Sequence, residues 1–341
     1  MIDKNNITTY SCINNNINVR KSSSSGGCFY ELAKYIIKHN GIVFAAKFDE
    51  DFHVIHDSFD NIKDIYRFMG SKYAPSKLKN TFKLIKENLE EGRLVMFTGT
   101  PCQNNGLTNF LKKKYDNLVQ IDFICHGMPS AKVWDKYLQV LKEKGNIKSI
   151  QFRNKDNGWA NYQFKVEYDN GNIFCENHNH NIYMKGFLAD LYLNGFCYNC
   201  KSKGLNRTSD ITMADLWGAD VIMPSLNDNQ GISALFVNTE KGQKLFDKIS
   251  TNLTYEKIDM NSNAANIEKK LDSLHSLLEN QMNPGGSSAK RPAAATVMHE
   301  EIHAQDTGKK IVKERENANY KFLQLIYKKL VDNEVDSKYA D

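Results

Sequence analysis

No uninterrupted apolar run in this 341-residue chain approaches the roughly 18 residues that a membrane-spanning helix needs. The opening stretch, MIDKNNITTYSCINNNINVRK, also lacks the apolar segment of a secretory signal, so the expected location is cytoplasmic. Basic residues are scattered rather than massed, and the net charge of +5 is mild for the length, which argues against a nucleic-acid surface. A disulfide framework is not indicated either, since seven thiols, an odd number, in a long chain expected in a reducing compartment point instead to metal, cluster or redox chemistry. Only one Cys-x-x-Cys pair is present, where zinc ribbons usually carry two. With 41% apolar and 25% charged residues, the composition is that of a globular protein long enough for two domains.

The pair that does exist organises the rest. Cys197 and Cys200 stand in FCYNCKSKGLNRTSDITMADLWG, at a spacing that lets one turn of backbone aim both sulfurs at a single ion or cluster. Two singletons in loop-like settings, Cys102 in GTPCQ and Cys125 in DFICHGMPS, can complete a cage of four thiolates drawn from three loops. Each singleton follows a short apolar run, predicting strands over 94–98 and 119–124, and each run leads into a helical pattern. Loops at the C-terminal ends of parallel strands are where α/β sheets hold ligands.

Further upstream, Ser22 to Gly27 form a loop of small residues that feeds a predicted helix containing Phe29, Leu32, Ile36 and Ile37. Free N–H groups at such a helix start suit a phosphate or pyrophosphate. A serine cap with a glycine turn is the plainer reading of the same residues. Two short strands are predicted around the acidic turn at 49–51, and helices on either side of a loop over 70–76. In the second half, turns at 156–158 and 169–171 predict a hairpin-rich β segment, followed by a helix over 182–194. ISALFVNT reads as a strand and KGQKLFDKI as a helix. Near the cysteines in sequence, His126 reads as a hydrogen-bond donor to a cluster sulfur or as an ordinary surface or core histidine, and Lys203 and Arg207 read as partners for cluster charge or as residues facing water.

Taken in order, SSGGCFYELAKYI, GSKYAPS, TGTPCQ, DFICHGMPS, FRNKDNGW and CYNCKSKGLNRTSDITMADLWG resemble the coenzyme F420 hydrogenase/dehydrogenase beta-subunit family over about residues 20–250. The resemblance implies an FAD and iron–sulfur oxidoreductase that passes electrons between a one-electron, ferredoxin-like donor and a hydride carrier, coenzyme F420 or another small molecule. It further implies that Cys102, Cys125, Cys197 and Cys200 ligate a [4Fe-4S] cluster. Ser25, Gly26 and Gly27, with Lys72, Tyr73, Ser76 and Thr100, are the implied FAD contacts. A homo-oligomer or a complex with another subunit is expected. Many relatives carry an N-terminal ferredoxin-like run of cysteines; this chain does not, so its electrons would come from a separate protein.

The expected architecture is mixed α/β (α+β): an irregular lead-in over 1–21, a flavin-contacting N-terminal part over 22–92, a cluster-binding part over 93–250, and a helical tail over 251–341 interrupted by a Gly/Ser/Ala/Pro-rich insertion at 283–310. That insertion holds HEEIH, with His299 and His303 spaced to share one helix face for zinc and Glu300 placed as a general base. No third ligand is evident beyond Glu314 or Glu316. Competing readings are an incidental surface helix for that segment, and, for the four cysteines, structural zinc or an accessory role in saccharide modification.

Overall fold

The computed structural model describes residues 7–204, 207–217, 219 and 223–258, all inside one compact unit that runs from Met1 to Glu268. The insertion at 283–310 and its HEEIH sequence lie outside the described residues.

Nine strands form one mixed sheet. Across it lie β12 (Leu253–Ile258), β1 (Thr8–Asn14), β11 (Ser233–Val237), β10 (Ile211–Asp215), β6 (Leu118–Phe123), β5 (Val95–Thr98), β2 (Ile42–Phe48), β3 (Val54–Phe59) and β4 (Ser76–Lys77). The centre is parallel: β2 pairs β5, β5 pairs β6, and β6 pairs β10. Strands covered on both faces need continuous apolar sequence, and every residue of β5, VMFT, is buried. A second, antiparallel sheet contains β7 (Ile147–Asn154), β8 (Gln163–Tyr168) and β9 (Ile173–Asn177). The fold class expected from the sequence, mixed α/β, is the one observed.

Helix α1 (Ile17–Ser22) is followed by α2 (Cys28–Lys38), which lays Leu32, Ala33 and Ile36 against Met96, Ile121 and Phe246 in the largest core cluster. The leucine, isoleucine, methionine and phenylalanine side chains among them contribute about 1.5–3 kcal/mol each when fully buried. The antiparallel sheet has its own core, in which Trp134 packs on Phe152 and Tyr183, Phe152 meets Phe164, and Phe187 joins the same cluster.

Several local expectations change. Residues 8–14 of the supposed irregular lead-in are strand β1, paired by β11 on one side and β12 on the other. Its inward residues are the short Thr9, Ser11 and Cys12, so burial there leaves no apolar signature. The tail expected to be helical from 251 begins instead with strand β12, which pairs with β1 through Thr9↔Ile258 and Asn14↔Leu253. The helix expected over 182–194 stops at Leu188, because Asp190 adopts φ 60°, a left-handed conformation that breaks the α ladder. The division near residue 92 falls between β2 and β5, adjacent strands of one sheet with Ile42 opposite Val95.

Candidate functional site

Strand direction places the singled-out segments on one edge of the large sheet. Thr100 and Cys102 follow the C-terminal end of β5, Cys125 that of β6, and Trp217 that of β10, all three strands being parallel. β1 runs parallel to β10, since both are antiparallel to β11, so the loop after β1 emerges on the same side. The 70–76 loop enters there as well, because Ser76 pairs with Val54, opposite the end of β2.

Cys102 sits in the first turn of the helix Pro101–Leu111, which has proline at its start and a reciprocal cap between Thr100 and Gln103. Thr100 Oγ1 also lies 3.1 Å from Cys102 Sγ. The Cys125 and Cys197 loops are zipped together by backbone. Ser130 N–H donates to Tyr192 O (2.8 Å), Asn194 N–H donates to Met128 O (2.7 Å), and Pro129 bridges to Leu193. Met128 N–H then donates to Cys197 Sγ at 3.3 Å. Burial pushes the half-buried Cys125 thiol up to about 11, and the Cys102 and Cys197 thiols beside it add to the rise, so three of the four cysteines share one locality. Cys200 is held by the turn that carries it, Lys203 N–H donating to its carbonyl at 3.4 Å. Among the described residues, no three His, Cys, Asp or Glu side chains converge closely enough for a single metal ion.

His126 pairs with Asp190 at 2.6 Å. Arg207, for which cluster charge or water were the alternatives, is buried and faces Asp122 at 3.4 Å. Burial raises the Asp122 carboxyl, while Thr212, Ser209 and Arg207 pull it back.

The small-residue loop is built tightly. Ser25 Oγ donates to Ile232 O (2.7 Å), and Gly26 N–H, expected to be free for an anion, donates to Ser233 Oγ (2.9 Å). A Cβ on Gly26 would stand 2.2 Å from Cys12 O, so only glycine fits. Gly27 takes φ 91° to launch α2. Ser24 Oγ accepts from Ser71 N–H at 2.6 Å, which joins this loop to the 70–76 loop.

In the 70–76 loop, Lys72 Nζ folds back on the carbonyls of Phe68, Met69 and Gly70 at 3.0–3.3 Å, and burial pushes it down to about 7. Tyr73 stacks on Phe187 at 4.8 Å. Ser76 Oγ meets His56 Nδ1 at 2.6 Å, while His56 Nε2 meets Thr98 O at 3.0 Å.

Two residues that carried no assigned role in the sequence stand beside these loops. Arg153, near the end of β7, is ion-paired with Asp215 at the end of β10. Its guanidinium lies over the Tyr162 ring at 4.7 Å and the Trp217 ring at 5.3 Å. Lys155 Nζ donates to the carbonyls of Arg20 (2.7 Å), Ser25 (3.2 Å) and Gln230 (2.7 Å), binding the FRNKDNGW segment to the small-residue loop. Burial, aided by the Arg20 and Arg153 charges, pushes its pKa down to about 7, while three carbonyls match the three N–H bonds of its ammonium form. Two cations inside one short motif at the buried end of β7 were the available signal.

Residues 92–262 match the sequence profile of the C-terminal region of the coenzyme F420 hydrogenase/dehydrogenase beta subunit. No curated protein sequence matches the chain. Among solved structures, the fold is similar to a chain of the F420-reducing [NiFe] hydrogenase complex from Methanosarcina barkeri, with 16% identity, a TM-score of 0.51, and coverage of 83% of this chain and 95% of that one.

Proposed function

The chain belongs to the coenzyme F420 hydrogenase/dehydrogenase beta-subunit family, a family of oxidoreductases, and from that premise we propose that it is an FAD and [4Fe-4S] protein moving electrons between a ferredoxin-like donor and a hydride carrier, coenzyme F420 or another acceptor. The observation that carries this reading is the meeting of Cys102, Cys125 and Cys197, from three segments, at one edge of the sheet.

The donor set fits a cluster. Tetrahedral zinc with bonds near 2.3 Å needs sulfurs about 3.8 Å apart, whereas a four-iron cube spreads its thiolates wider. Three thiols in one locality, on three separate segments, supply thiolate donors of the kind a four-iron cube takes. Cys102, Cys125, Cys197 and Cys200 would be its ligands. The Met128 N–H on Cys197 and the Lys203 charge felt by Cys125 would stabilise thiolate and tune potential.

For FAD, the Ser24–Ser71 bond sets two of the implied contact loops side by side, and Gly26 and Gly27 bring backbone where a side chain has no room. Ser25 to Gly27, Lys72, Tyr73, Ser76 and Thr100 would hold it. Gly26 N–H is already committed, so any pyrophosphate would be met by other N–H groups at the start of α2. When bound, a flavin exchanges electrons in pairs and a cluster singly, which couples hydride transfer to a one-electron donor. The hydrogenase complex that the fold resembles supports assembly with further subunits.

Iron content tests the assignment. Purified anaerobically, the wild type should carry about four irons per chain. Cys200→Ser should lose most of the iron and of the broad visible absorption, and the exposed Cys175→Ser should keep both. Equal iron in the two variants removes the ligand assignment, and one zinc per chain in its place restores the structural alternative.

A further inference from the structure

Arg153 and Trp159 leave three buried donors unspent. Arg153 uses Nη1 on the Asp215 carboxylate, but its Nε and Nη2, together with Trp159 Nε1, make no geometrically sound hydrogen bond, the Tyr73 hydroxyl standing near the guanidinium. Both side chains are buried, at 7% and 4% exposed. Leaving a buried donor unpaired costs about 1–3 kcal/mol, and more for a charged group. The deficit here is of one kind, donors without acceptors, so what fills it brings acceptor atoms from outside the chain.

Shape and charge narrow the class. Trp159 stacks flat on Trp217, with rings 4.5 Å apart and 5° from parallel, and Trp217 is half-exposed. With Tyr162 beneath the guanidinium and Tyr73 beside it, the surroundings are aromatic walls suited to a planar ring. Asp215 already balances the Arg153 charge. A phosphate dianion would therefore be buried uncompensated, whereas a ring edge of carbonyls that is neutral when oxidised and gains negative charge on reduction matches a guanidinium with spare N–H groups.

We propose that Arg153 Nε and Nη2, with Trp159 Nε1, receive the carbonyl edge of a reducible heterocycle, the pyrimidinedione edge that flavins and deazaflavins share, and favour its reduced form. The proposal rests on the flavoprotein reading above and adds to it two binding residues and the part of the ring they hold. Arg153 donates two parallel N–H bonds to that edge, and the Trp159 indole donates the third. With a ring bound there, these donors would stabilise the negative charge that reduction places on its carbonyl edge.

The test titrates full-length, cluster-loaded protein with FAD and, separately, with a 5-deazaflavin, and measures the two-electron midpoint potential of whichever ring binds. Arg153→Gln should lower the ratio of reduced- to oxidised-ring affinity about tenfold, equivalent to about 30 mV toward more negative potential. Arg153→Lys, which keeps charge but not the paired N–H geometry, should lie between Arg153→Gln and wild type. Trp159→Phe keeps the stack and removes only the indole N–H, so it should move the midpoint in the same direction by less, with iron content unchanged; it serves if the arginine variants fold poorly. A shift confined to FAD assigns the edge to the resident flavin, and one confined to the deazaflavin assigns it to the hydride carrier. Ring uptake and midpoint identical in wild type, Arg153→Gln and Trp159→Phe overturn the proposal alone. A wild type that takes up neither ring overturns it together with the flavoprotein reading.

Discussion

His56 shows how one buried side chain makes the fold sensitive to acid. Its Nε2 faces the Thr98 carbonyl, which can only accept, so Nε2 carries the proton and Ser76 donates its hydroxyl hydrogen to Nδ1. Burial, helped by the Lys72 charge and only partly offset by the Thr98 carbonyl, pushes the imidazole down to about 4 from its ordinary value of 6.5. Between those values the unfolded chain binds a proton that the native state refuses, so this residue's contribution to stability falls as pH drops through that window. At pH 5 the loss relative to neutral pH is about 2 kcal/mol. Urea midpoints at pH 7.5 and pH 5 should therefore separate more in wild type than in His56→Gln. Equal separations would show that His56 does not titrate in this window. For Ser76 the consequence is narrower: its hydrogen is committed to His56, and a ligand would find only its oxygen.

At the scale of elements, the small-residue loop between α1 and α2 depends on closeness more than on free donors. Gly26→Ala would drive a methyl into Cys12 O and within 2.7 Å of Ser233 N, both backbone atoms that cannot swing aside. A destabilisation of about 3 kcal/mol, at the upper end of overpacking costs, is expected by thermal or urea denaturation, accompanied by weaker FAD uptake. A stability within 0.5 kcal/mol of wild type, roughly the range of neutral surface changes, would contradict the tight packing. The parallel centre was legible because Val95–Thr98 is a short, mostly apolar run and Leu118–Phe123 is apolar but for Gln120 and Asp122, each ended by loop residues, and the positions of Cys102 and Cys125 after them followed directly. Strand β1 was not, because Thr9, Ser11 and Cys12 are too small and polar to announce burial. Nor was the Arg153–Asp215 pair, whose members are 62 positions apart and meet only when the second sheet docks. The setting of Arg207 was hidden for the same reason, its partner Asp122 lying 85 positions away on β6.

At the scale of the whole molecule, loops from both halves of the sequence share one sheet edge, so under the proposed function electrons entering at the cysteines would pass along that edge to a ring held by the 22–27 and 70–76 loops. In anaerobic stopped flow, reduced ferredoxin should bleach the flavin band quickly in wild type and at least tenfold more slowly in Cys197→Ser, about 1.4 kcal/mol in barrier, while direct chemical reduction of the flavin stays fast in both. Equal ferredoxin-driven rates would take the cysteines off the path. The same sheet also makes the chain wait for itself. Strand β1 is synthesised well before its two neighbours, β11 and β12, which both lie more than 200 residues downstream. At 5–20 residues per second, a ribosome needs roughly 12–50 s to travel from Asn14 to Ile258. For that interval Thr8–Asn14 has two unsatisfied edges, and contacts of such long range close slowly even once available. Closure of this half of the sheet therefore waits until its last strand has left the ribosome, and the nascent β1 segment is the one most in need of a chaperone's shelter.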